Sequence, residues 1–319
     1  MENEHSRNGR LLISDDNIIN NRVVFSEKDL LKYNNNYVKI SKNGIYITGC
    51  IKNCGKHIRN VYVIIKKISQ LFENYTIIFS YDKSDDNSLD ILKYFSKNDE
   101  NVIILENENE LSEIRTENIS NARNLIIEKI KELNYTNYKY FIMMDMDDVC
   151  DKVFHVNVFK KYIINDSEWD SISFNRTGYY DIWALSYDPY VISCWHYYKS
   201  HTQNRDYLTN IVRPHFEKQI AKLKDNDLLK VQSAFGGFAI YKIDKFINCS
   251  YNWKYKDTLN LIPKHLINKN ILKYDNKTPY SLDEDPVKIF DCEHRFFHLS
   301  ARKKNKARIR VSPFILFGG

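Results

Sequence analysis

The chain has 319 residues, of which 43% are apolar and 28% charged, and its formal net charge is +6. This length and composition fit one large domain or two small ones, and exclude a disordered tail, a collagen-like chain and a small disulfide-stapled protein. The modest charge permits an anionic ligand. We expect no nucleic acid partner, because proteins of that class usually concentrate their basic residues on one face.

Residues 1–40 are polar and rich in asparagine, and we interpret them as an N-terminal arm before one domain over residues 41–319. We find no apolar segment typical of a signal peptide and no run of about 20 apolar residues that could span a membrane. We therefore expect a soluble, cytoplasmic protein. The excess of Asn, Ile, Lys and Tyr, whose codons are AT-rich, indicates an AT-rich organism or a large virus, and for a virus the compartment would be the host cytoplasm.

Four apolar runs alternate with helical patterns from residue 44 onward. Such strands are typical of an α/β fold with a mostly parallel central sheet and helices on both faces. Ligands of these folds bind at the carboxyl ends of the strands, and the irregular second half is expected to add binding loops. The predicted strands are centred on 45–48, 76–79, 102–105 and 140–144, and the predicted helices cover 57–72, 88–95 and a segment that starts near Ser120 as its N-cap.

Three carboxylates follow the last of these strands, in the run Asp145-Met146-Asp147-Asp148. The D-x-D spacing directs two side chains to the same face of an extended segment. Neighbouring carboxylates repel each other unless water or a cation neutralises them, and Mg²⁺ or Mn²⁺ prefers such oxygen ligands. A solvated acidic turn is the alternative explanation.

Two further polar segments lie near expected strand and helix ends. Arg123 follows the predicted helix start, where an N-terminus attracts anions, although a surface ion pair would also explain it. Asp82, Ser84 and Asp86 follow the second strand and could hydrogen-bond a base or a ribose. A turn followed by a helix N-cap explains that loop equally well.

In their order and spacing these segments resemble the GT-A glycosyltransferases. Two later segments, 179–185 and 235–241, resemble the cryptococcal mannosyltransferase-like branch of that group and its giant-virus relatives. The resemblance spans roughly residues 44–312. The segments that carry its first half are 50–53, Ser84-x-Asp86-x-Ser88, 122–124 and 144–148.

The resemblance implies a GT-A fold and a metal-dependent hexosyl- or pentosyltransferase, which moves a sugar from a nucleotide-sugar to a hydroxyl group of a glycan acceptor. UDP is the first expectation for the nucleotide and GDP the second, and the expected metal ion is Mn²⁺ or Mg²⁺. Residues 41–150 would hold the nucleotide-sugar, and residues 151–319 would hold the acceptor and form a C-terminal lid. The oligomeric state is left open, a dimer included.

The resemblance also implies roles for residues of the first half. Asp147 would ligate the metal ion together with Asp145, and Asp148 is a second candidate. The loop at 82–86 departs from the Asn- and Glu-rich loop of many relatives, so the base stays open. The implied donor contacts in this half are Asn53, Asp82, Ser84, Asp86, Arg123 and Asp145.

The second half contains the candidate bases and histidine ligands. In several GT-A families a C-terminal histidine completes the metal site, which here suggests His294 or His298. A nearby carboxylate deprotonates the acceptor, and Glu293 or Asp291 would do so here. Asp181 is a further candidate base, because it lies among aromatic residues that suit sugar rings, although core packing is the commoner fate of such residues.

Two more segments of the second half are candidate donor contacts. Gly236 and Gly237 stand together in a chain with only nine glycines, which indicates close approach to a ligand or a tight turn. The basic segment 302–310 could close over the diphosphate as a lid, attract an anionic acceptor or form a solvated face. Arg302 and Lys304 are the residues of this segment that we expect to contact the donor.

Two other classes of protein remain as alternatives. A sugar-phosphate nucleotidyltransferase has a similar sheet, but it would want a Gly-rich, Arg-containing loop after the first strand. Residues 49–55 read Gly-Cys-Ile-Lys-Asn-Cys-Gly and match that loop poorly. A non-catalytic glycan- or nucleic-acid-binding protein would use the basic segment 302–310 instead.

Overall fold

The computed structural model describes residues 42–108, 110–198, 200–224, 226–273 and 290–318. The N-terminal arm that we predict over residues 1–40 lies outside these ranges. None of the described helices is both long enough and apolar enough to cross a membrane.

The first half alternates strands with helices, as its apolar pattern predicts. One boundary differs from the prediction, because Ser120 lies inside its helix and donates a hydrogen bond to the carbonyl oxygen of Thr116 at 2.8 Å. This bond to the preceding turn is a common way to satisfy a serine within a helix. The elements are β1 (Gly44–Ile51), α1 (Ile58–Ser69), β2 (Asn74–Tyr81), α2 (Ser88–Asn98), β3 (Val102–Glu106), α3 (Arg115–Leu133) and β4 (Tyr138–Met144).

The second half is less regular and contains shorter elements. A π-helical turn, Leu208–Val212, joins two of its helices, α5 and α6, into one continuous helix. The elements are β5 (Val153–Phe154), α4 (Val156–Ile164), β6 (Ser171–Asn175), α5 (His201–Tyr207), α6 (Arg213–Ala221), β7 (Leu229–Val231), β8 (Phe238–Lys242), α7 (Ile243–Phe246), α8 (Tyr255–Leu259), α9 (Lys264–Lys273), α10 (Glu293–Asn305), β9 (Ile309–Ile315) and β10 (Phe317–Gly318).

Eight of the strands form one sheet in the order β3-β2-β1-β4-β8-β6-β9-β7. Strands β3, β2, β1 and β4 are parallel to one another, and β8 runs antiparallel between β4 and β6. Strand β9 is parallel to β6, and β7 is antiparallel to β9 at the edge. The predicted class, an α/β fold with a mostly parallel sheet, is confirmed.

The sheet is covered on both faces because its side chains alternate between two hydrophobic clusters. Ile45 and Ile47 of β1 lie in one cluster with residues of α1, α2 and α4. Tyr46, between them, lies in the other with residues of α3, α6 and α10. This two-sided burial explains why β4 is apolar throughout its buried part. Asp145 follows β4 directly, so the sheet fixes it at the carboxyl edge.

The C-terminal basic segment 302–310 spans the end of α10 and the start of β9. Its strand β9 pairs with β6 on one side and β7 on the other. Just before it, Arg308 forms an ion pair with Asp170, with 3.0 Å between Nε and Oδ2. Strand pairing on both edges satisfies the backbone of β9 within the fold, and the C-terminal lid stays a prediction.

Candidate functional site

A cavity of about 430 Å³ opens beyond the carboxyl end of β4. Its wall is formed by α3, the start of α10, the loop at 180–183 and the continuous helix over 201–221. The volume lies within the range of small-molecule binding sites in proteins. Five of the residues that we singled out from the sequence line it: Arg123, Asp145, Asp181, Glu293 and His294.

Asp145 is held from three sides at the edge of this cavity. Its backbone N–H donates to the carbonyl oxygen of Gly237 at 2.8 Å, and its Oδ2 accepts from the Tyr180 hydroxyl at 3.2 Å. Its Oδ1 lies 3.5 Å from Nη2 of Arg123. Burial raises the pKa of Asp145 to about 7, although the positive charge of Arg123 opposes that shift. A cation bound here would stabilise the ionised carboxylate.

The D-x-D pair offers two carboxylates just beyond the carboxyl end of β4. The charge of Asp147 acts on the Asp145 carboxyl group, and Asp147 Oδ1 also accepts from the backbone N–H of Val149 at 3.0 Å. Among the described residues, no three His, Cys, Asp or Glu side chains are grouped to hold a metal ion. Mg²⁺ is usually bound by one or two carboxylates together with waters and substrate phosphates, which is the donor set that Asp145 and Asp147 can complete.

Of the two candidate histidine ligands, His298 belongs to the packed interior, whereas His294 is buried but also lines the cavity. Nδ1 of His298 is 2.8 Å from the Ser233 hydroxyl and its Nε2 is 3.0 Å from the Tyr241 hydroxyl, so both nitrogens are engaged. Burial, with a smaller effect from nearby arginines, lowers the pKa of His298 to about 3. His294 is 1% exposed and stacks on the ring of Phe235 at 3.7 Å. This arrangement does not support His298 as a metal ligand. The ligand role of His294, whose ring nitrogens have no hydrogen-bond partner among the described residues, stays a prediction.

Arg123 connects two of the three acidic residues that line the cavity, Asp145 and Glu293. It lies eight residues into α3 rather than at the helix N-terminus, and it packs between the rings of Phe235 and Tyr251. Its guanidinium group bonds the carboxylate of Glu293 and lies beside that of Asp145. Glu293 is thus committed to a buried ion pair, which argues against its predicted role as the base that deprotonates an acceptor.

Asp291, the other candidate base from this segment, is fully buried away from the cavity. Its Oδ2 accepts from Nε of Arg295 at 2.9 Å, and its Oδ1 accepts from the backbone N–H of Cys292 at 2.8 Å. Arg295 in turn donates to the carbonyl oxygens of Leu185 and Val191, each at 2.8 Å. This arrangement holds α10 against the loop at 185–191, and it does not support the predicted catalytic role of Asp291, because the carboxylate is fully buried and paired.

Replacing Asp291 with Ala is expected to lower the free energy of unfolding by about 3–5 kcal/mol, because it leaves the buried Arg295 charge without its partner. Urea unfolding followed by circular dichroism measures this change. Lys269→Ala is the control, since it breaks an exposed ion pair with Asp188 and is expected to change stability little. Equal effects of the two substitutions would contradict the structural role of Asp291.

Asp181 is the carboxylate that remains available at the cavity. Its Oδ2 accepts from the backbone N–H of Gly236 at 2.8 Å, and its Oδ1 accepts from that of Ala184 at 3.3 Å. Burial raises the pKa of Asp181, although these two hydrogen bonds act in the opposite direction. The hydrogen bonds fix its orientation, and no arginine among the described residues forms an ion pair with it, so Asp181 can accept a proton from a ligand in the cavity.

Gly236 and Gly237 form the tight turn that brings β8 beside this site. Both have left-handed backbone angles, with φ values of +68° and +79°. A Cβ atom on Gly237 would lie 2.3 Å from Cγ1 of Val149 and 3.2 Å from Oδ2 of Asp145. The glycines are therefore required by the turn and by the close approach of the backbone to Asp145.

Replacing Gly237 with Ala is expected to destabilise the protein and to displace Asp145, because it combines backbone strain with a steric clash. The strain alone is worth about 1–3 kcal/mol. Gly178→Ala is a matched control, since Gly178 has φ +58° but no atom lies within 4 Å of its added Cβ. We expect a larger loss of melting temperature for Gly237→Ala. Similar losses for both variants would show that the contact with Asp145 does not matter.

The predicted base- and ribose-binding residues hold two loops together at the carboxyl ends of β1 and β2. Asn53 Oδ1 accepts from the backbone N–H of Asp85 at 2.8 Å, and the Asn53 N–H donates to the Ser84 hydroxyl at 3.0 Å. Asp86 Oδ2 accepts from the backbone N–H of Gly55 at 2.8 Å. Asp82 Oδ1 accepts from the Asn107 amide at 2.8 Å. None of these side chains lines the described cavity, so their contact with a nucleotide stays a prediction.

Arg302 and Lys304 lie away from the cavity, in the last turns of α10. They are about 13–17 Å along the helix from Glu293, at 1.5 Å per residue. Arg302 donates to the carbonyl oxygen of Val231 and Lys304 to that of Asn248, each at 3.4 Å. Within α10 only the first turn lines the cavity, so the cavity does not support the prediction that Arg302 and Lys304 contact the donor.

Three arginines that we did not single out from the sequence line the cavity: Arg115, Arg205 and Arg213. Arg115 lies on α3 and precedes Arg123 by eight residues, and Arg205 precedes Arg213 by the same interval on the helix over 201–221. Residues four and eight apart share a helix face. This repeated spacing was a signal in the sequence that the arginines share a helix face. The sequence does not show, however, that those helix faces line a cavity.

No protein-family model and no curated protein matches the chain. Among solved structures, it is similar to a 1–349 fragment of S. aureus TarS, at 12% identity and a TM-score of 0.39, over 86% of this chain and 59% of that one. It is also similar to the mannosyltransferase PcManGT from Pyrobaculum calidifontis in complex with GDP-Man and Mn²⁺, at 10% identity and a TM-score of 0.38, over 70% and 55%. The chain thus spans less than two thirds of these solved chains, and similarities this distant carry no argument about its activity.

Proposed function

We propose that the protein is a metal-dependent glycosyltransferase that moves a sugar from a nucleotide-sugar to a hydroxyl group of a glycan. The observation that carries this proposal is the pair Asp145 and Asp147 at the carboxyl end of β4, beside a cavity of about 430 Å³ with Asp181 on its wall. Carboxylates for a hard cation, a cavity of this size and a separate available carboxylate are the components that such a transfer requires.

In this proposal Asp145 and Asp147 hold Mn²⁺ or Mg²⁺, which when bound would stabilise the leaving diphosphate as a Lewis acid. Arg123 keeps the Asp145 carboxylate in place and adds positive charge to the cavity wall. Its guanidinium group packs between the rings of Phe235 and Tyr251. The nucleotide lies over the loops that Asn53 and Asp82 help to connect. UDP is tested first and GDP second.

Asp181 acts as the base. It accepts the proton of the acceptor hydroxyl while the acceptor oxygen bonds to the anomeric carbon and the bond to the diphosphate oxygen breaks. The raised pKa of Asp181 makes its carboxylate a stronger base than an ordinary aspartate. Hydrogen bonds from the backbone N–H groups of Gly236 and Ala184 fix the orientation of the Asp181 side chain. The side chain is therefore already oriented before the acceptor binds.

The finer predictions from the sequence belong to this proposal as well. In this proposal residues 41–150 form the donor half and residues 151–319 form the acceptor half, and a C-terminal lid stays a prediction. The narrower resemblance to the cryptococcal mannosyltransferase-like branch and its giant-virus relatives, transfer of a hexose or pentose, and a cytoplasmic location stay predictions.

The proposal is tested by incubating the purified chain with a panel of UDP-sugars and GDP-sugars, with Mn²⁺ or with EDTA, and measuring release of the nucleoside diphosphate. We expect release from one nucleotide family, in the presence of metal only. Absence of release from every donor, or undiminished release in EDTA, would overturn the proposal. Formation of pyrophosphate from a sugar phosphate and a nucleoside triphosphate would favour the nucleotidyltransferase alternative.

A further inference from the structure

Arg115, Arg205 and Arg213, which we call the arginine arc, line the cavity. Two separate helices supply them, α3 and the continuous helix over 201–221. The second helix contains a π-helical turn between Arg205 and Arg213. Such turns are rare and occur frequently at functional sites.

The arginine arc lacks counter-charges within the described part of the chain. The acidic residues of the cavity have other partners: Glu293 and Asp145 with Arg123, and Asp181 with two backbone N–H groups. Among the described residues, none of the three arc arginines forms an ion pair. Nε of Arg213 is also buried without a hydrogen-bond partner. Leaving such a donor unsatisfied is costly, and a bound anion would remove that cost.

Two tryptophans, Trp183 and Trp195, line the same cavity. Indole faces offer a flat apolar surface for a sugar ring, and the guanidinium fork matches the geometry of phosphate and carboxylate groups. The cavity therefore combines a surface for a sugar ring with unpaired donors for an oxyanion.

We propose that the acceptor is an anionic glycan whose phosphate or carboxylate group is bound by Arg115, Arg205 and Arg213 while a sugar ring packs on Trp183 and Trp195. This inference rests on the proposed function, and it names the substrate class of the same site. The donor diphosphate is the competing occupant of the arginine arc, because it has the same oxyanion chemistry.

Binding is measured by ligand-observed NMR on the full chain, with a hexose 6-phosphate, a hexuronate and the neutral hexose as probes. We expect the phosphate or the carboxylate probe to bind at least about tenfold more tightly than the neutral hexose, because charge-assisted hydrogen bonds are the stronger ones. The ratio between the two anionic probes identifies the preferred group. Equal binding of all three probes would overturn the inference.

The arc is tested with Arg205→Ala/Arg213→Ala, which is expected to remove the preference for anionic probes. Lys218→Ala/Lys222→Ala is the control, since it removes the same charge from exposed positions on α6 and beside its end. Arg205→Lys/Arg213→Lys keeps the charge without the fork, and we expect an intermediate preference. An unchanged preference in the double Ala variant would contradict the proposal.

Binding of UDP and GDP with Mn²⁺ by the double Ala variant separates the two occupants. Binding equal to that of the parent chain supports the assignment to the acceptor. Loss of that binding would assign the arc to the donor diphosphate and overturn the inference. Because the hexose probes need no donor, their preference is measurable even if no nucleotide-sugar is turned over, so this inference and the proposed function can fail separately.

Discussion

Asp147→Asn is expected to reduce sugar transfer from the nucleotide-sugar by at least about a hundredfold. The substitution removes one of two carboxylates that hold the metal ion, and stabilisation of the leaving group by a metal is worth several kcal/mol. The amide keeps the size of the side chain and an oxygen that can accept from the Val149 N–H, so we expect the fold to persist. Initial rates at saturating donor, with melting temperature as the check on folding, give the result.

Asp148→Asn is the matched control for this prediction. Asp148 is exposed and adjacent in the sequence, and we expect its replacement to change the rate little. The reverse outcome, with loss of activity in Asp148→Asn and retention in Asp147→Asn, would transfer the metal-binding role to Asp148. Retention of activity in both variants would contradict metal binding by this run of acids.

Asp181→Asn is expected to lower kcat by about 10²–10⁴-fold, the usual contribution of a general base, while leaving donor binding intact. An amide cannot accept the proton of the acceptor hydroxyl at neutral pH. Measurement of kcat together with the donor Kd separates these effects. A parallel loss of donor affinity and rate would instead indicate that Asp181 only supports the turn at Gly236.

The pH dependence gives a second test of the same residue. Asp181 works as a base only when ionised, and its pKa is raised by burial above that of an ordinary aspartate. At saturating Mn²⁺, which keeps the Asp145 carboxylate ionised, the activity of the parent chain should rise with pH through the raised pKa of Asp181, and the residual activity of Asp181→Asn should lack that rise. Glu293→Gln serves as the comparison, and it should keep the rise, since Glu293 is paired with Arg123 rather than available as a base.

Much of the fold's first half could be predicted from local pattern. The strands from β1 to β4 are buried on both faces, so each appears as an apolar run, and the helices between them repeat at 3.6 residues. The start of α3 was misplaced because Ser120 is a common N-cap type, yet here it bonds within the helix to Thr116. Whether a serine caps a helix or lies within it depends on tertiary packing rather than on the residue's intrinsic preference.

The second half was less predictable because its site depends on contacts far apart in the sequence. The partners of His298 lie 65 and 57 residues away, at Ser233 and Tyr241, and these contacts place a candidate ligand in the core. The C-terminal segment appeared to be a basic tail, although β9 is an inner strand of the sheet. The sequence shows the positive charge of this segment, but it does not show that the following strand pairs with β6 and β7.

The positive charge that matters at the cavity comes from isolated arginines rather than from the basic segment. Arg115 and Arg213 are each surrounded by ordinary helical sequence, whereas the conspicuous run near Arg302 points away from the cavity. A charge cluster in sequence is a poor guide to a charge cluster in space when the residues lie on different helices.

The central claim, a nucleotide-sugar site built on Asp145 and Asp147, is tested most directly by calorimetric titration of UDP and GDP into the chain with Mn²⁺ and with EDTA. The account predicts that one nucleotide binds only when Mn²⁺ is present, and that Asp147→Asn abolishes this binding without unfolding the protein. Binding that persists in EDTA or in Asp147→Asn, or no binding of either nucleotide under any condition, would contradict it.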